Sequence, residues 1–110
     1  MKYLFLDDER NPTDVTWLHD FDPTLDWAVV RTFDEACEYV VNHGIPDVIS
    51  FDHDLGVGQS GKDFANWLIN YDLDHGIMPD GFSFTVHSMN PIGRRNIQTL
   101  MQSYIGSKHS

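Results

Sequence analysis

Acidic and histidine side chains follow three short apolar runs of this sequence, at the point where each run ends. The three groups are Asp7-Asp8, Asp52-His53-Asp54 and His87-Ser88. Carboxylates that are held close together repel one another unless a cation neutralises them. Oxygen ligands completed by a few waters are what Mg²⁺ prefers. We therefore expect a Mg²⁺ or Mn²⁺ site built from Asp7, Asp8, Asp52 and Asp54. The alternative is that these aspartates only form turns and cap helices.

Two histidines accompany the carboxylates and are candidates for catalysis together with Asp52. Imidazole as a group titrates near neutrality, so His87 could protonate a departing oxygen. A hydrogen-bonded structural role for His87 is the alternative. His53 is the further candidate, although a regular strand would turn its side chain away from those of Asp52 and Asp54.

The segment after His87 predicts a helix whose start faces the same site. Asn90 is a suitable N-cap and Pro91 suits the first helical position. Free backbone N–H groups at such an end attract anions. Arg94 and Arg95 follow in the first turn or so, where the helix dipole disfavours cations. Their presence there suggests a bound phosphate. They would otherwise simply pair with surface acids. The phosphate-binding candidates are Ser88, Asn90, Arg94, Arg95 and Lys62.

Four apolar runs predict the strands that position these groups. They are Lys2–Leu6, Trp27–Arg31, Asp47–Phe51 and Phe82–Val86, and such short runs are typical of strands buried on both faces. Helical spacing is present in Phe33–His43, after Gly61 and after Asn90. Asp72–Gly81 is expected to be a polar loop. The stretch Thr13–Asp26 is ambiguous, because Pro23 would limit a helix there to about two turns.

Alternation of strands and helices predicts a parallel sheet with right-handed crossovers. All carboxyl ends of such a sheet lie at one edge, where open α/β sheets bind ligands. The three polar groups should therefore converge on one site.

Length, charge and cysteine content restrict the class of protein. The 110 residues suit a single domain over 1–110, and 17 acidic against 7 basic residues give a net charge of −10. That charge repels a phosphate backbone, so double-stranded DNA is not an expected partner. Cys37 is the single cysteine, which excludes a disulfide within the chain. With no signal-peptide pattern and no apolar run of about 20 residues, we expect a cytoplasmic protein and no membrane partner.

A glycine-rich loop, 56–61, fits two nucleotide-binding patterns only in part. Its spacing is G-x-G-x-x-G, and 56–62 also fits the first seven positions of a P-loop. Asp63 stands where a P-loop needs a hydroxyl, and too little chain follows for a dinucleotide fold. We interpret the segment as a flexible loop beside the site.

The order of elements and the acids resemble the receiver domain of two-component response regulators. Asp7 and Asp8 match that family's acidic pair, 46–52 matches the segment that ends in its phospho-acceptor at Asp52, and Ser88 takes the place of its hydroxyl residue. Gly61 lies one position after the family's loop glycine. One helix uses all the chain after Ser88, so neither a fifth strand nor the receiver lysine fits.

Three blocks resemble a divergent group, the cyclic-phosphate processing receiver domains. The blocks are Leu6-Asp7-Asp8-x-Arg10, Asp52-His53-Asp54-Leu55 and His87-Ser88-x-Asn90-Pro91. The resemblance implies a flavodoxin-like three-layer α/β sandwich with about four parallel strands in the order 2-1-3-4. It also implies a metal-dependent phosphoesterase acting on a cyclic phosphate of a small molecule, a nucleotide or an RNA end. The alternatives are a phospho-accepting or degenerate receiver-like binding module without hydrolase activity, and an acidic adaptor with a structural metal.

Overall fold

Strands and helices alternate along the chain in this computed structural model, which describes residues 1–19, 21–55 and 58–108. The strands are β1 (Tyr3–Leu6), β2 (Trp27–Val30), β3 (Val48–Phe51) and β4 (Ser83–Val86). The helices are α1 (Phe33–His43), α2 (Gly61–His75) and α3 (Pro91–Lys108). The sheet is parallel throughout, in the order β2-β1-β3-β4. The predicted order and fold class are confirmed.

The three helices cover one face of the sheet. Alternate residues of β1 and β3, such as Leu4 and Phe51, are fully buried on this face beneath α2 and α3. Phe64 of α2 and Ile97 of α3 supply the facing side chains, because apolar residues at helical spacing form one stripe. This interface is the main hydrophobic core. Among the described residues, no helix is long and apolar enough to cross a membrane.

The opposite face of the sheet is covered by residues 12–19 and 21–26, and the only helical element among these described residues is a 3-10 turn at Pro12–Asp14. Phe21 packs against Phe5 of β1 in a second apolar cluster. The side chain of Asp22 accepts hydrogen bonds from the backbone N–H and the hydroxyl of Thr24 at 2.9 and 2.6 Å, which forms a turn instead of a helix. The third layer of the sandwich is therefore irregular, which resolves the ambiguity of this stretch.

Helix α2 is longer than the sequence pattern predicts. The expected loop at Asp72–Gly81 is wrong at its start, since α2 continues to His75 and ends at Gly76 with φ +63°. Asp72 is buried and accepts hydrogen bonds from the Tyr104 hydroxyl at 2.5 Å and the Lys108 amine at 2.9 Å. These bonds from α3 hold a polar residue inside the helical layer, which a sequence pattern cannot reveal.

Residue alternation along the strands carries the candidate site onto the face opposite the helices. Phe5, Ser50 and Thr85 form one row across β1, β3 and β4. Two residues further along each strand lie Asp7, Asp52 and His87. The strand pairing extends this far, because the backbone N–H groups of these three residues bond to the neighbouring strands at 2.9–3.1 Å. The sheet register therefore sets the spacing of the three side chains.

Candidate active site

A chain of hydrogen bonds links the buried face of the sheet to Asp7. The Thr85 hydroxyl donates to the Ser50 hydroxyl oxygen at 2.9 Å, and that oxygen lies 2.7 Å from His87 Nδ1. His87 Nε2 lies 3.0 Å from Asp7 Oδ2. When the Ser50 hydroxyl donates a hydrogen bond to Nδ1, the ring has its N–H on Nε2 and donates a hydrogen bond to Asp7. Each polar group in the chain then has a partner of the right kind.

Packing fixes the ring of His87. Phe5 stacks on it with ring centroids 4.4 Å apart and planes within 8°, and the ring is fully buried. The Trp17 indole N–H also donates to the His87 carbonyl oxygen at 3.0 Å. With both ring nitrogens bonded, His87 lies behind Asp7 and is not among the residues that line the cleft described below. This placement suits a residue that orients a carboxylate.

Asp7 is held in its charged form. Its Oδ1 accepts backbone hydrogen bonds from Glu9 and Arg10, both at 2.8 Å. Burial alone would raise the pKa of Asp7, but the hydrogen bond from His87 and the two backbone bonds lower that pKa to about 2. The Arg10 guanidinium lies 3.9 Å from Oδ2. Asp7 is thus a carboxylate over the whole neutral range.

The pKa of Asp52 is shifted in the opposite direction from that of Asp7. Burial raises the pKa of Asp52, and the negative charge of Asp7 raises it further. Its Oδ1 accepts a hydrogen bond from the backbone N–H of His53 at 2.8 Å. Its Oδ2 takes no hydrogen bond from the part of the chain that the structure describes. A cation between the two carboxylates would remove the repulsion that disfavours ionised Asp52.

These side chains form a group with the spacing of metal ligands. One ligand atom each from Asp7, Asp52 and His87 lie within 4.8 Å of one another, so this cluster could bind a metal. Because His87 Nε2 already bonds Asp7, the carboxylate oxygens are the available donors. Oxygen donors fit a hard cation that keeps some of its waters.

An open cleft of about 280 Å³ lies above the carboxylates. The predicted site residues that line it are Asp7, Asp8, Asp52, Asp54, Ser88 and Asn90. Glu9, Arg10 and Met89 complete the wall. All five predicted phosphate-binding residues were expected near one phosphate, but only Ser88 and Asn90 line the cleft.

The remaining predicted site residues do not line this cleft: His53, His87, Lys62, Arg94 and Arg95. His53 lies against α3, where a Cβ built on Gly93 would approach its ring to 2.3 Å. Its Nδ1 lies 3.0 Å from a carboxylate oxygen of exposed Asp54. Lys62 is exposed in the first turn of α2. The glycine loop lies only partly within the described residues, because 56 and 57 fall outside them.

The start of α3 is capped mainly from within the chain. The Asn90 side-chain oxygen accepts from the backbone N–H of Gly93 at 3.1 Å, which confirms Asn90 as the N-cap. Ser88 is buried, and its oxygen accepts from the Asn90 backbone N–H at 3.1 Å. The predicted anion pocket of free N–H groups is therefore smaller than expected, although the Ser88 proton remains available to a ligand.

Two close approaches of backbone hold β3 against the helices. A Cβ on Gly61 would lie 1.6 Å from the Asp52 carbonyl oxygen, so only glycine fits where α2 begins. The Gly61 N–H donates to the His53 carbonyl at 2.8 Å. Together with the contact of Gly93 on His53, this packing fixes the backbone that carries Asp52.

Sequence reasoning missed Ser50, Thr85, Phe5 and Arg10 as parts of the site. The first three lie inside apolar runs, two positions before Asp52, His87 and Asp7. Strand alternation alone would place them on the same face as those residues. A polar Ser50 within a buried strand was the available signal.

Comparisons with known proteins agree with this arrangement. Residues 2–103 match the sequence model of a family described as the cyclic-phosphate processing Receiver domain. No protein with a curated description matches the chain. A solved structure titled as a yeast Spc42 trimeric coiled coil, amino acids 181–211, fused to another structure aligns at TM-score 0.52. The alignment covers 98% of this chain and 78% of that chain at 16% identity, so the likeness concerns the fold alone.

Proposed function

This chain belongs to the cyclic-phosphate processing receiver domain family, and from that premise we propose that it is a metal-dependent phosphoesterase. The proposed reaction is hydrolysis of a cyclic phosphate to a phosphomonoester on a nucleotide or an RNA end. One observation carries the proposal: Asp7 and Asp52 are buried carboxylates whose oxygens face a single open cleft. Family membership suggests a phosphate-bearing substrate for that cleft.

The charge of the cleft supports a requirement for a cation. Its wall carries five acidic side chains and one basic side chain, Arg10, so a phosphate would be repelled by the cleft alone. Asp7 and Asp52, with Asp8 and Asp54 at the rim, would hold Mg²⁺ or Mn²⁺. When bound, such an ion polarises phosphoryl oxygens and lowers the pKa of a water.

The remaining residues have separate roles in the proposal. His87 is a positioning residue that keeps Asp7 charged and oriented through the bond at 3.0 Å. The direct proton donation expected from the sequence would require His87 to give up its bond to Asp7, so we assign the donation to solvent in the cleft. The Ser88 hydroxyl donates a hydrogen bond to a phosphate oxygen, and the side-chain amide N–H groups of Asn90 donate hydrogen bonds to the same phosphate. Location in the cytoplasm stays a prediction.

The proposal is tested with matched aspartate variants. Hydrolysis of a nucleoside 2′,3′-cyclic phosphate is measured for wild type, Asp52→Asn and Asp74→Asn, where Asp74 is exposed on α2. We expect roughly 10²-fold or greater loss for Asp52→Asn and no loss for Asp74→Asn, because Asp52 would hold the ion and Asp74 would not. Equal rates for the three proteins would refute the proposal.

A phospho-accepting module is the second candidate, favoured by the open Oδ2 of Asp52 at the end of β3. Among the described residues, no lysine lines the cleft, which removes a cation that a receiver site uses. Labelling of Asp52 by acetyl phosphate, without turnover of any cyclic phosphate, would support this candidate in place of the hydrolase.

A further inference from the structure

Two arginines in the first turns of α3 have side chains without a hydrogen-bond or acidic partner within residues 1–19, 21–55 and 58–108. They are Arg94 and Arg95. Two other cations do lie beside acids: Arg10 beside Asp7, and Lys108 beside Asp72. The first turn of α3 contains no acidic residue. Pairing with surface acids, the alternative raised by the sequence, is therefore wrong for the described part of the chain.

The two arginines also lie near the start of a helix, which is an unfavourable place for a cation. The helix dipole disfavours a cation there. The chain as a whole carries a charge of −10, so acidic partners are plentiful elsewhere on its surface. Two consecutive arginines whose guanidinium groups have no acidic partner form a site that attracts an anion.

The arginines line a second depression, which lies next to the acidic cleft. Its wall is formed by Met89, Pro91, Arg94, Arg95 and Gln98, and Met89 also lines the acidic cleft. Arg94 and Gln98 also line a third depression of about 400 Å³. Aromatic side chains of that groove include Trp17, Phe21 and Phe84. We call the depression lined by Arg94 and Arg95 the basic shelf, and the third depression the aromatic groove. The acidic cleft, the basic shelf and the aromatic groove thus follow one another on the surface.

This order of surfaces matches the chemistry of a nucleotide. Carboxylates with a cation suit one phosphate, a guanidinium pair suits another, and aromatic rings suit stacking of a base. The basic shelf does not share its arginines with the acidic cleft, so the two phosphates would occupy different places. The overall negative charge disfavours a long duplex and leaves a short single-stranded ligand.

Resting on the proposed function, we propose that the substrate carries two phosphates. The cyclic phosphate occupies the acidic cleft, a phosphate on the 5′ oxygen of the same nucleoside contacts Arg94 and Arg95, and the base lies in the aromatic groove. That 5′ phosphate belongs either to a mononucleotide or to the preceding linkage of an RNA strand. Both sources present anionic phosphate oxygens to the arginines, and a terminal phosphomonoester carries more negative charge than a phosphodiester linkage.

The test compares three substrates with Mg²⁺: a nucleoside 2′,3′-cyclic phosphate, its 5′-phosphorylated form, and a dinucleotide ending in the cyclic phosphate. We expect kcat/KM to rise about tenfold with the 5′ phosphate, as one charge-assisted contact would give. Arg94→Gln and Arg95→Gln should each reduce this ratio toward one. Lys2→Gln is the matched control, since Lys2 bonds the His43 carbonyl at the far end of the sheet. A dinucleotide better than the 5′-phosphorylated nucleotide would identify the RNA strand as the source, and a poorer dinucleotide would identify the mononucleotide. Equal values, both about tenfold above the nucleoside 2′,3′-cyclic phosphate, would mean that the arginines accept either source.

A binding measurement separates failure of this inference from failure of the hydrolase proposal. Calorimetry with Mg²⁺ compares a nucleoside 3′,5′-bisphosphate with the 3′-monophosphate on wild type and both arginine variants. Turnover with a ratio of one in wild type would overturn the second-phosphate site while leaving the hydrolase in place. Absence of turnover together with arginine-dependent, tenfold tighter binding of the bisphosphate would overturn the hydrolase and support the site. Equal binding of the two ligands would overturn the site.

Discussion

The substitution Asp7→Asn should destabilise the metal-free protein in a pH-dependent way. The fold lowers the pKa of Asp7 from 3.8 to about 2, and its side chain is 1% exposed. That difference corresponds to roughly 2–3 kcal/mol of stability. Because the folded-state pKa is the lower one, this contribution is fully present above the unfolded value. It is lost as the pH falls toward the folded value.

Asparagine keeps the shape of the side chain and an oxygen for the two backbone N–H groups, but it removes the charge and replaces Oδ2, which accepts from His87, by an amide nitrogen that cannot accept. We expect Asp7→Asn to lower the free energy of unfolding by roughly 2–3 kcal/mol at pH 7, with the difference shrinking steadily from about pH 4 to pH 2. Urea unfolding in chelated buffer across this range measures it. The exposed control Asp74→Asn should stay within about 0.5 kcal/mol of wild type.

Asp52 provides an internal check of the same reasoning. Burial and the charge of Asp7 raise its pKa, so its ionisation opposes folding at neutral pH. The metal-free Asp52→Asn variant should therefore be at least as stable as wild type at pH 7. Asp7→Asn with wild-type stability at pH 7, or with a deficit unchanged at pH 2, would refute the assignment of Asp7 as a carboxylate stabilised by His87.

Two further experiments test the packing around Gly93 and the burial of Cys37. Gly93→Ala should cost about 1–3 kcal/mol, because the new Cβ would lie 2.3 Å from the His53 ring, whereas Gly106→Ala in the same helix meets nothing within 4 Å and should be neutral or stabilising in urea unfolding. Equal midpoints for the two variants would contradict the close contact. Burial and the neighbouring Asp34 raise the pKa of the Cys37 thiol to about 11. Its alkylation at pH 7.5 should be roughly 10²-fold slower than that of free cysteine, and a comparable rate would contradict that environment.

The strands, their order and the edge that carries the site were predictable from the sequence. Short apolar runs bounded by polar groups mark buried parallel strands, and the carboxyl ends of such strands meet at one edge. Asp7, Asp8, Asp52 and Asp54 were therefore placed together correctly at that edge. Three matched sequence blocks supplied the family.

Contacts that depend on register and side-chain packing were beyond the sequence. The link from Ser50 to His87 joins residues 37 positions apart, and it exists because β3 and β4 pair in one register. Arg94 and Arg95 follow the site closely in sequence, but the helical turn directs them to a neighbouring depression. Burial of Asp72 within α2 likewise depends on α3.

The most direct test of the hydrolase is the fate of the phosphorus atom in one sample. A nucleoside 2′,3′-cyclic phosphate is mixed with chelated protein and followed by ³¹P nuclear magnetic resonance before and after Mg²⁺ or Mn²⁺ is added in excess. We predict an unchanged cyclic-phosphate signal before the addition and its conversion to a monoester signal afterwards, with no conversion by Asp52→Asn. A cyclic signal that persists with either metal and folded wild-type protein would contradict a metal-dependent cyclic phosphoesterase.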